Sequence, residues 1–508
     1  MTFAIVTDTP EFLSDLGDVA RIFFGDVTVT GEAEGAQRLY RHTAICEDGD
    51  WTDIWRHDGN SETVQSRAEG HPLQVKRLRK RAVKLGLYRL LKRETGLKPP
   101  WGALTGIRPT RLLYEGMEEG LSRDEAVERV IEAYDVSPDR ARMLGEISQM
   151  QEGLLHPAPD EFDLYIGIPF CTTRCSYCSF ASGEIGDGRL VEPYVNALLR
   201  EIALTGEMIR ARGLRLRAGY IGGGTPTAIP TQALERVLRA AQREFPGAKE
   251  WTVEAGRPDT IDEENLSMLR HCGVDRISVN PQTFHDETLR RIGRAHSAER
   301  TVEAFELARA LGFDHINMDL IAALPGETAD MFAQSVRRAI ELSPESVTVH
   351  TLAVKRSSRL HESLVVHGDD GQARAFNDTA MQMVQFAREA LTQAGWRPYY
   401  LYRQKYMAGN GENVGYAKAG KACLYNIGNM EETASVLALG AGAITKWLFD
   451  REIQSAARGI DVEAVRFANL QLRIERAPNV RNIEQYIDRV DEMVARKRAL
   501  ILPGGEAV

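Results

Sequence analysis

Cysteine is scarce in this chain, with six residues in 508. A disulfide-stapled scaffold needs a denser and more even distribution in an oxidising compartment, so the fold is expected to rest on its hydrophobic core. Long apolar runs are missing too, and none approaches the ~18–20 residues that span a bilayer. The opening MTFAIVTDTPEFLSDL has no basic stretch and meets acids early, unlike a secretory signal, so a cytoplasmic location is expected. Neither an internal repeat nor a low-complexity tract occurs, which excludes solenoids and simple linker-like chains. What is present is an ordinary globular composition, 43% hydrophobic and 27% charged. The length allows about two to four domains.

The net charge of −9 is an average over unlike parts. Residues 71–111 carry twelve Lys and Arg and one acid, Glu94, so a local +11 stands against −20 for the rest. Leu78, Ala82, Leu85, Tyr88 and Leu91 recur at three- and four-residue steps, which predicts an amphipathic helix over 73–94 with a basic outer face. That face is either simply solvated or a docking surface for an anion, such as tetrapyrrole propionates or RNA phosphates. The first 70 residues alternate short apolar runs with polar turns and read as a small α+β unit. A Pro- and Gly-rich loop, KPPWGALTGIRPTRLL, leads to a helical segment at 122–153. LLHPAPDEFD, at 154–163, reads as a linker.

From residue 164 the pattern changes. Apolar strands at 164–168, 218–222, 251–255, 276–280, 315–321 and 346–352 alternate with helix-like segments, which implies βαβ units and a parallel sheet. Six units are too few for a closed eight-stranded barrel, so a partial (β/α)6 barrel is expected, with its site at the C-terminal ends of the strands. The expected domains are an N-terminal α+β domain over 1–155 with the basic helix, the core over 156–360, and a C-terminal α+β extension over 361–508 covering the barrel mouth.

The first of these strands runs into PFCTTRCSYCSF, giving Cys171-x3-Cys175-x2-Cys178. Zinc ordinarily takes four ligands, and no second Cys/His pair follows nearby; a redox dithiol needs only two thiols. Three thiolates on one tight loop suit a cubane iron-sulfur cluster with a fourth iron left open. Cys46 and Cys272 read as structural.

This spacing at the end of the first strand of a βα barrel resembles the radical S-adenosylmethionine (SAM) superfamily. The resemblance implies a [4Fe-4S] cluster that donates one electron to the sulfonium of SAM, yielding a radical that abstracts an unactivated hydrogen. Gly222, Gly223, Gly224 and Thr225, after the second strand, are similar to that family's loop for the SAM amino group. Glu254 and Asp319 are acids inside apolar strands, costly to bury unless paired or liganded. With Tyr165, Gln282 and Arg294 they resemble the oxygen-independent coproporphyrinogen III oxidase/dehydrogenase branch. By that resemblance Tyr165 lies beside the cluster-bound SAM, Glu254 at its ribose, Asp319 at another polar group, and Gln282 and Arg294 at its methionyl end. PWGALTGIRPTRLL, VEAGRPDTI, SVNPQTF, HTLAVKRSS and YRQKYMAGNGENVGYAKAG are similar to the long HemZ-type members of the branch.

The implied activity is decarboxylation of two propionates of coproporphyrinogen III to vinyl groups, giving protoporphyrinogen IX in haem biosynthesis. No side chain is assigned a catalytic role beyond the cluster. One departure qualifies the resemblance: the oxidase carries a fourth cysteine where this chain has Phe180, as the branch's haem chaperones do. The alternative implied is therefore a haem-binding chaperone without decarboxylase activity. Cys423 is either a buried small side chain or a haem thiolate ligand. Cations are expected at the propionates, with Arg356, Arg403 and Lys405 as the main candidates and Arg108, Arg111, Lys355, Lys418 and Lys421 beside them. Expected partners are a tetrapyrrole, as coproporphyrinogen III or haem, and an electron donor such as flavodoxin or ferredoxin. A nucleic acid is not expected.

Overall fold

The N-terminal segments become hairpins because of two Asp-Gly pairs. Asp48-Gly49 and Asp58-Gly59 all have positive φ (50°, 85°, 42° and 81°), the conformation that a type I′ turn demands at both central residues. The computed structural model describes residues 2–25, 27–69, 72–106, 108–353, 370–404, 407, 411–449 and 473–502. It divides into two units, Met1–Gly145 with Phe449–Arg473, and Glu146–Leu448 with Ile474–Val508.

In the first unit, β1 (Thr2–Thr7), β2 (Thr28–Thr30), β3 (Arg38–Glu47), β4 (Asp50–His57) and β5 (Asn60–Arg67) form one sheet in the order β2-β1-β3-β4-β5. Helices α1 (Leu13–Phe24) and α2 (Pro72–Thr95) pack on it, followed by α3 (Thr110–Glu118), α4 (Arg123–Tyr134) and α5 (Pro138–Met150). The predicted amphipathic helix is α2. It buries Val83, Leu85, Leu87, Tyr88, Leu90 and Leu91 in one core with Phe3 and Trp55. A Cβ on Gly86 would lie 2.5 Å from the Trp55 ring, so glycine is what lets the indole seat against the helix.

The basic face of α2 differs from the expected docking surface, because much of it is paired within its own unit. Arg77 meets Glu115 at 3.2 Å, Lys80 meets Asp15 at 3.4 Å, Lys92 meets Asp135 at 2.6 Å, and Arg93 pairs with Glu62. Arg79 is buried and grips Asp53 with two 2.6 Å hydrogen bonds. Five of the segment's twelve cations are thus paired with acids contributed by other elements.

The second unit realises the strand-helix alternation. The strands β6 (Glu161–Ile168), β9 (Arg215–Gly223), β10 (Glu250–Gly256), β11 (Arg276–Val279), β12 (Ile316–Ala322) and β13 (Ser346–Thr351) run parallel, each beside the next. A two-residue pair, β7 (Phe170–Cys171) and β8 (Gly183–Glu184), brackets the cysteine loop. Helices α6 (Val191–Ala211), α7 (Thr231–Glu244), α8 (Glu263–His271), α9 (Asp286–Arg291), α10 (Ala298–Ala310), α11 (Ala329–Leu342) and α12 (Asp370–Gln393) follow in turn. This is a (β/α)6 arrangement whose strands bury mostly apolar side chains on both faces, interrupted by a few charged and polar residues such as Asp163, Arg217, Glu254 and Asp319.

The stretch set apart from residue 361 adds strands to that same sheet. β14 (Arg397–Tyr402) and β15 (Asn413–Ala417) extend it antiparallel beyond β13. Helix α13 (Leu424–Glu431) then leads to β16 (Val436–Leu439), parallel to β6 at the other end, and on to β17 (Ile444–Phe449) and β18 (Arg473–Pro478). Helices α14 (Ile483–Asp488) and α15 (Val490–Ile501) pack on α6. Helix α13 packs over two ion pairs at the starts of the strands, buried Asp163–Arg217 (2.6 Å) and Glu250–Arg276 (3.3 Å). Arg217 donates to the Leu424 carbonyl and Arg276 to that of Lys421. No described helix is long and apolar enough to cross a membrane.

Candidate functional site

The C-terminal ends of the six parallel strands open on one cavity of about 550 Å³. Cys171, Cys175 and Cys178 line it, together with Tyr165, Gly223, Gly224, Thr225, Glu254, Gln282, Arg294 and Asp319. Residues separated by up to 154 positions are therefore brought to one wall. The thiols are unpaired and partly exposed. Among the described residues no three Cys, His, Asp or Glu side chains could share a single ion. A cubane instead takes one thiolate at each of three irons.

The cysteine loop is held by neighbouring strand ends. Thr172 Oγ1 donates to Asp259 Oδ2 at 2.9 Å, and Arg257 donates to both the carbonyl and the hydroxyl of Thr173, each at 2.9 Å. On the other side Thr173 donates to the Gly293 carbonyl and the Ser176 amide to that of Ile292. Arg294 reaches Tyr177, between the second and third cysteines, at 3.2 Å, and the Asn280 carbonyl at the same distance.

Close backbone approach explains the glycine run. A Cβ on Gly224 would stand 2.5 Å from the Phe170 carbonyl oxygen and 3.0 Å from Cys171 Sγ; on Gly222, 2.7 Å from Glu254 Oε2. Gly223 has φ +111°, which L side chains rarely adopt. Gln282 has φ +66° without being glycine, a strained backbone at the mouth of β11. Its Oε1, with Ser278 Oγ, Asn280 Oδ1 and Arg294 Nε, is buried without a hydrogen-bond partner. Such groups at a cavity wall are what a polar ligand satisfies.

Three tyrosines stack along one side: the Tyr220 and Tyr425 centroids are 4.4 Å apart, with Tyr165 at 6.3 and 6.2 Å. Tyr220 Oη donates to Glu254 Oε1 at 2.5 Å. Burial pushes the Glu254 carboxyl up to about 7, helped by the charge of Asp319 and opposed by the Tyr220 and Gly223 hydrogen bonds. Burial acts on Asp319 too, yet His350, Asn317 and Thr348 outweigh it and hold that carboxyl below its usual range. The two acids thus differ by environment, one poised near neutrality and one ionised.

Helix α13 supplies part of the lining through Tyr425, Asn426, Asn429 and Met430. Cys423, just before it, does not line the cavity. Its thiol is buried, donates to Glu250 Oε1 at 3.1 Å, and is pushed up to about 12 by burial. That protonated, enclosed sulfur fits the structural reading and not a haem ligand.

The expected propionate cations fare unevenly. Arg356, Lys405 and Lys355 lie outside the described residues. Arg403 is buried with its Nε on the Gly411 carbonyl and does not line the cavity, although its neighbours Tyr402 and Gln404 do. Lys418 and Lys421 sit at the opposite end of the strands, on Ser343 and Asp314, because β15 runs antiparallel and ends beside the start of β13. Among the described residues, the arginines that line the cavity are Arg174, Arg257 and Arg294. Arg257, Asp259, Tyr177, Tyr220 and His350 went unassigned in the sequence. The signal for the first two lay in VEAGRPDTI, directly after Glu254.

Residues 165–339 match the family described as Radical SAM superfamily. The chain is 40% identical over 370 residues to the oxygen-independent coproporphyrinogen-III oxidase-like protein HemZ of Bacillus subtilis, covering 72% of this chain and 73% of that protein. It is 30% identical over 288 residues to the heme chaperone HemW of Escherichia coli, covering 56% and 70%. Among solved structures, the radical SAM enzyme coproporphyrinogen III oxidase (HemN) from Escherichia coli aligns with a TM-score of 0.50 at 21% identity. That alignment covers 68% of this chain and 73% of the other, a likeness of fold.

Proposed function

Because the chain belongs to the radical SAM superfamily, in its coproporphyrinogen oxidase-like family, we propose that it is an oxygen-independent coproporphyrinogen III dehydrogenase. The superfamily's cofactors are a [4Fe-4S] cluster and SAM. The observation that carries the reading is the convergence of three thiols, a glycine run, two acids and unpartnered polar atoms on one cavity. In this reading Cys171, Cys175 and Cys178 hold the cluster. Gly223, Gly224 and Thr225 receive the SAM amino group, Glu254 the ribose hydroxyls, and Gln282 and Arg294 the methionyl end, with Asp319 as a further polar partner. Bound there, the two cofactors supply one-electron cleavage of SAM and a hydrogen-abstracting carbon radical.

The chain's task is then to orient a propionate so that its β-carbon loses a hydrogen atom, followed by CO2 and one electron, leaving a vinyl group. An electron carrier such as flavodoxin or ferredoxin supplies the reducing electron, and an acceptor takes the one released. Stacked Tyr165, Tyr220 and Tyr425 keep one side of the site aromatic, where a planar group can lie with little water.

A second reading, a haem chaperone, is favoured by Phe180, which is 72% exposed on the cavity rim where the oxidases have a cysteine. Anaerobic incubation with SAM, dithionite and coproporphyrinogen III separates the two. Vinyl product together with 5′-deoxyadenosine supports the dehydrogenase. Absence of both, with stoichiometric haem binding, overturns it in favour of the chaperone.

A further inference from the structure

Arg257 and Asp259 are drawn together at the end of β10 by an irregularity in the strand. The β10–β11 register shifts between Val253 and Gly256, Gly256 takes φ +59°, and the Arg257 amide turns back onto the Ala255 carbonyl at 2.6 Å. Bulges of this kind re-aim a side chain next to a site. Here the result is that a buried guanidinium points at the spacer between the first two cluster cysteines.

The contacts run from the end of β10 to both threonines of the spacer. Arg257 Nη1 and Nη2 donate to the Thr173 carbonyl and hydroxyl at 2.9 Å each, and its Nε donates to Asp259 Oδ1 at 3.1 Å. Asp259 Oδ2 accepts from Thr172 Oγ1 at 2.9 Å, and His296 stands 3.5 Å from Oδ1. Burial opposes ionisation of Asp259, but His296, Arg257 and Thr172 together hold its carboxyl well below the usual range, so the pair stays charged.

We propose that Arg257 and Asp259 are positioning residues that fix the cluster-binding loop relative to the SAM site. Glu254 lies on the same strand end, three residues before Arg257. One short stretch of backbone and one fork of hydrogen bonds therefore link the cluster loop directly to the strand end that carries the proposed ribose-binding carboxylate, beside the contacts from Gly293, Ile292 and Arg294. Reactions that demand alignment of two bound groups are sensitive to displacements of about 1 Å. A lysine cannot replace the fork, since one ammonium does not reach the carbonyl, the hydroxyl and the carboxylate in a fixed plane.

The inference rests on placing cluster and SAM in this cavity, and not on the reaction proposed above, so its test uses no tetrapyrrole. The full-length chain and its Arg257→Gln, Arg257→Lys, Asp259→Asn, Thr173→Val and Thr173→Ser variants are reconstituted anaerobically. Iron and sulfide content, far-UV circular dichroism, and the EPR spectrum of the reduced cluster across a SAM titration are measured. The Gln, Lys, Asn and Val variants are expected to keep the parent's dichroism, yet to need about tenfold or more SAM for the EPR change, or to lose the cluster. Thr173→Ser, which keeps the hydroxyl, matches the parent. A parent-like SAM response in Arg257→Gln or full rescue by Arg257→Lys overturns the inference. Should the arginine variants misfold, Thr172→Val removes one bond and no charge, and the same shift in smaller degree is expected. A parent chain that takes up no cluster overturns both this inference and the cofactor placement.

Discussion

Tyr220 Oη sits 2.5 Å from Glu254 Oε1, donating to a carboxyl that burial has raised to about 7. The bond favours the ionised acid, so Tyr220 limits the rise that burial imposes. Both side chains line the cavity.

In the proposed role Glu254 accepts from ribose hydroxyls better as a carboxylate, so SAM affinity is expected to rise about tenfold from pH 6 to pH 8. Folding runs the other way. A carboxyl raised in the folded state contributes stability that is full below the ordinary carboxylate pKa and lost as pH rises through about 7. Calorimetric titration of SAM at several pH values checks the binding half. Glu254→Gln should flatten the slope, and a slope unchanged in that variant would remove Glu254 from the ribose.

Gly224→Ala places a methyl group 2.5 Å from the Phe170 carbonyl oxygen and 3.0 Å from Cys171 Sγ. Backbone on one side leaves the sulfur to move, and iron content after reconstitution is expected to fall to less than about half. Gly183→Ala, where a Cβ meets nothing, serves as the control. Equal iron in both variants would refute the close-approach argument.

Cys423→Ala should keep the cluster absorbance and any tetrapyrrole binding, with stability lowered by about 1 kcal/mol for the lost hydrogen bond to Glu250. Cys171→Ala, Cys175→Ala and Cys178→Ala should each abolish the absorbance. Visible spectra of the four proteins decide the matter, and loss of haem binding in Cys423→Ala would restore the thiolate reading.

In the first unit, Arg79→Met strips Asp53 of its two strongest hydrogen bonds and leaves a buried carboxylate beside His42. Removing one partner of a buried pair costs about 3–5 kcal/mol. Burial opposes the Asp53 charge, but Arg79 and His42 hold its pKa below the usual value. Its stabilisation is therefore present above the ordinary carboxylate pKa and lost as pH falls through the lowered one. Thermal melts at pH 7 and pH 3 should show a large loss for the variant at pH 7 and a smaller difference from the parent at pH 3.

The six core strands, the helix over 73–94 and the cysteine loop were legible in the sequence. Each is specified by contiguous residues: an apolar run, a three-four periodicity, a spacing of thiols. Tyr165, Glu254, Gln282, Arg294 and Asp319 were named together through the resemblance to a known family, and the parallel sheet brings all five to the cavity at one end of its strands.

What tertiary structure decided was the partner of each charge and polar group, which no local pattern encodes. Five cations of the basic helix meet acids from other elements, Lys418 and Lys421 fall at the far end of the strands, and Cys423 meets a glutamate 173 residues away. Arg257 and Asp259 gain their role only where the fold lays Thr173 and Thr172, 84 and 87 residues earlier, against them. Composition said that half of the six cysteines were gathered for one purpose. Folding set the groups that hold them, because the energy of a buried charge depends on which distant residue is within about 3 Å of it.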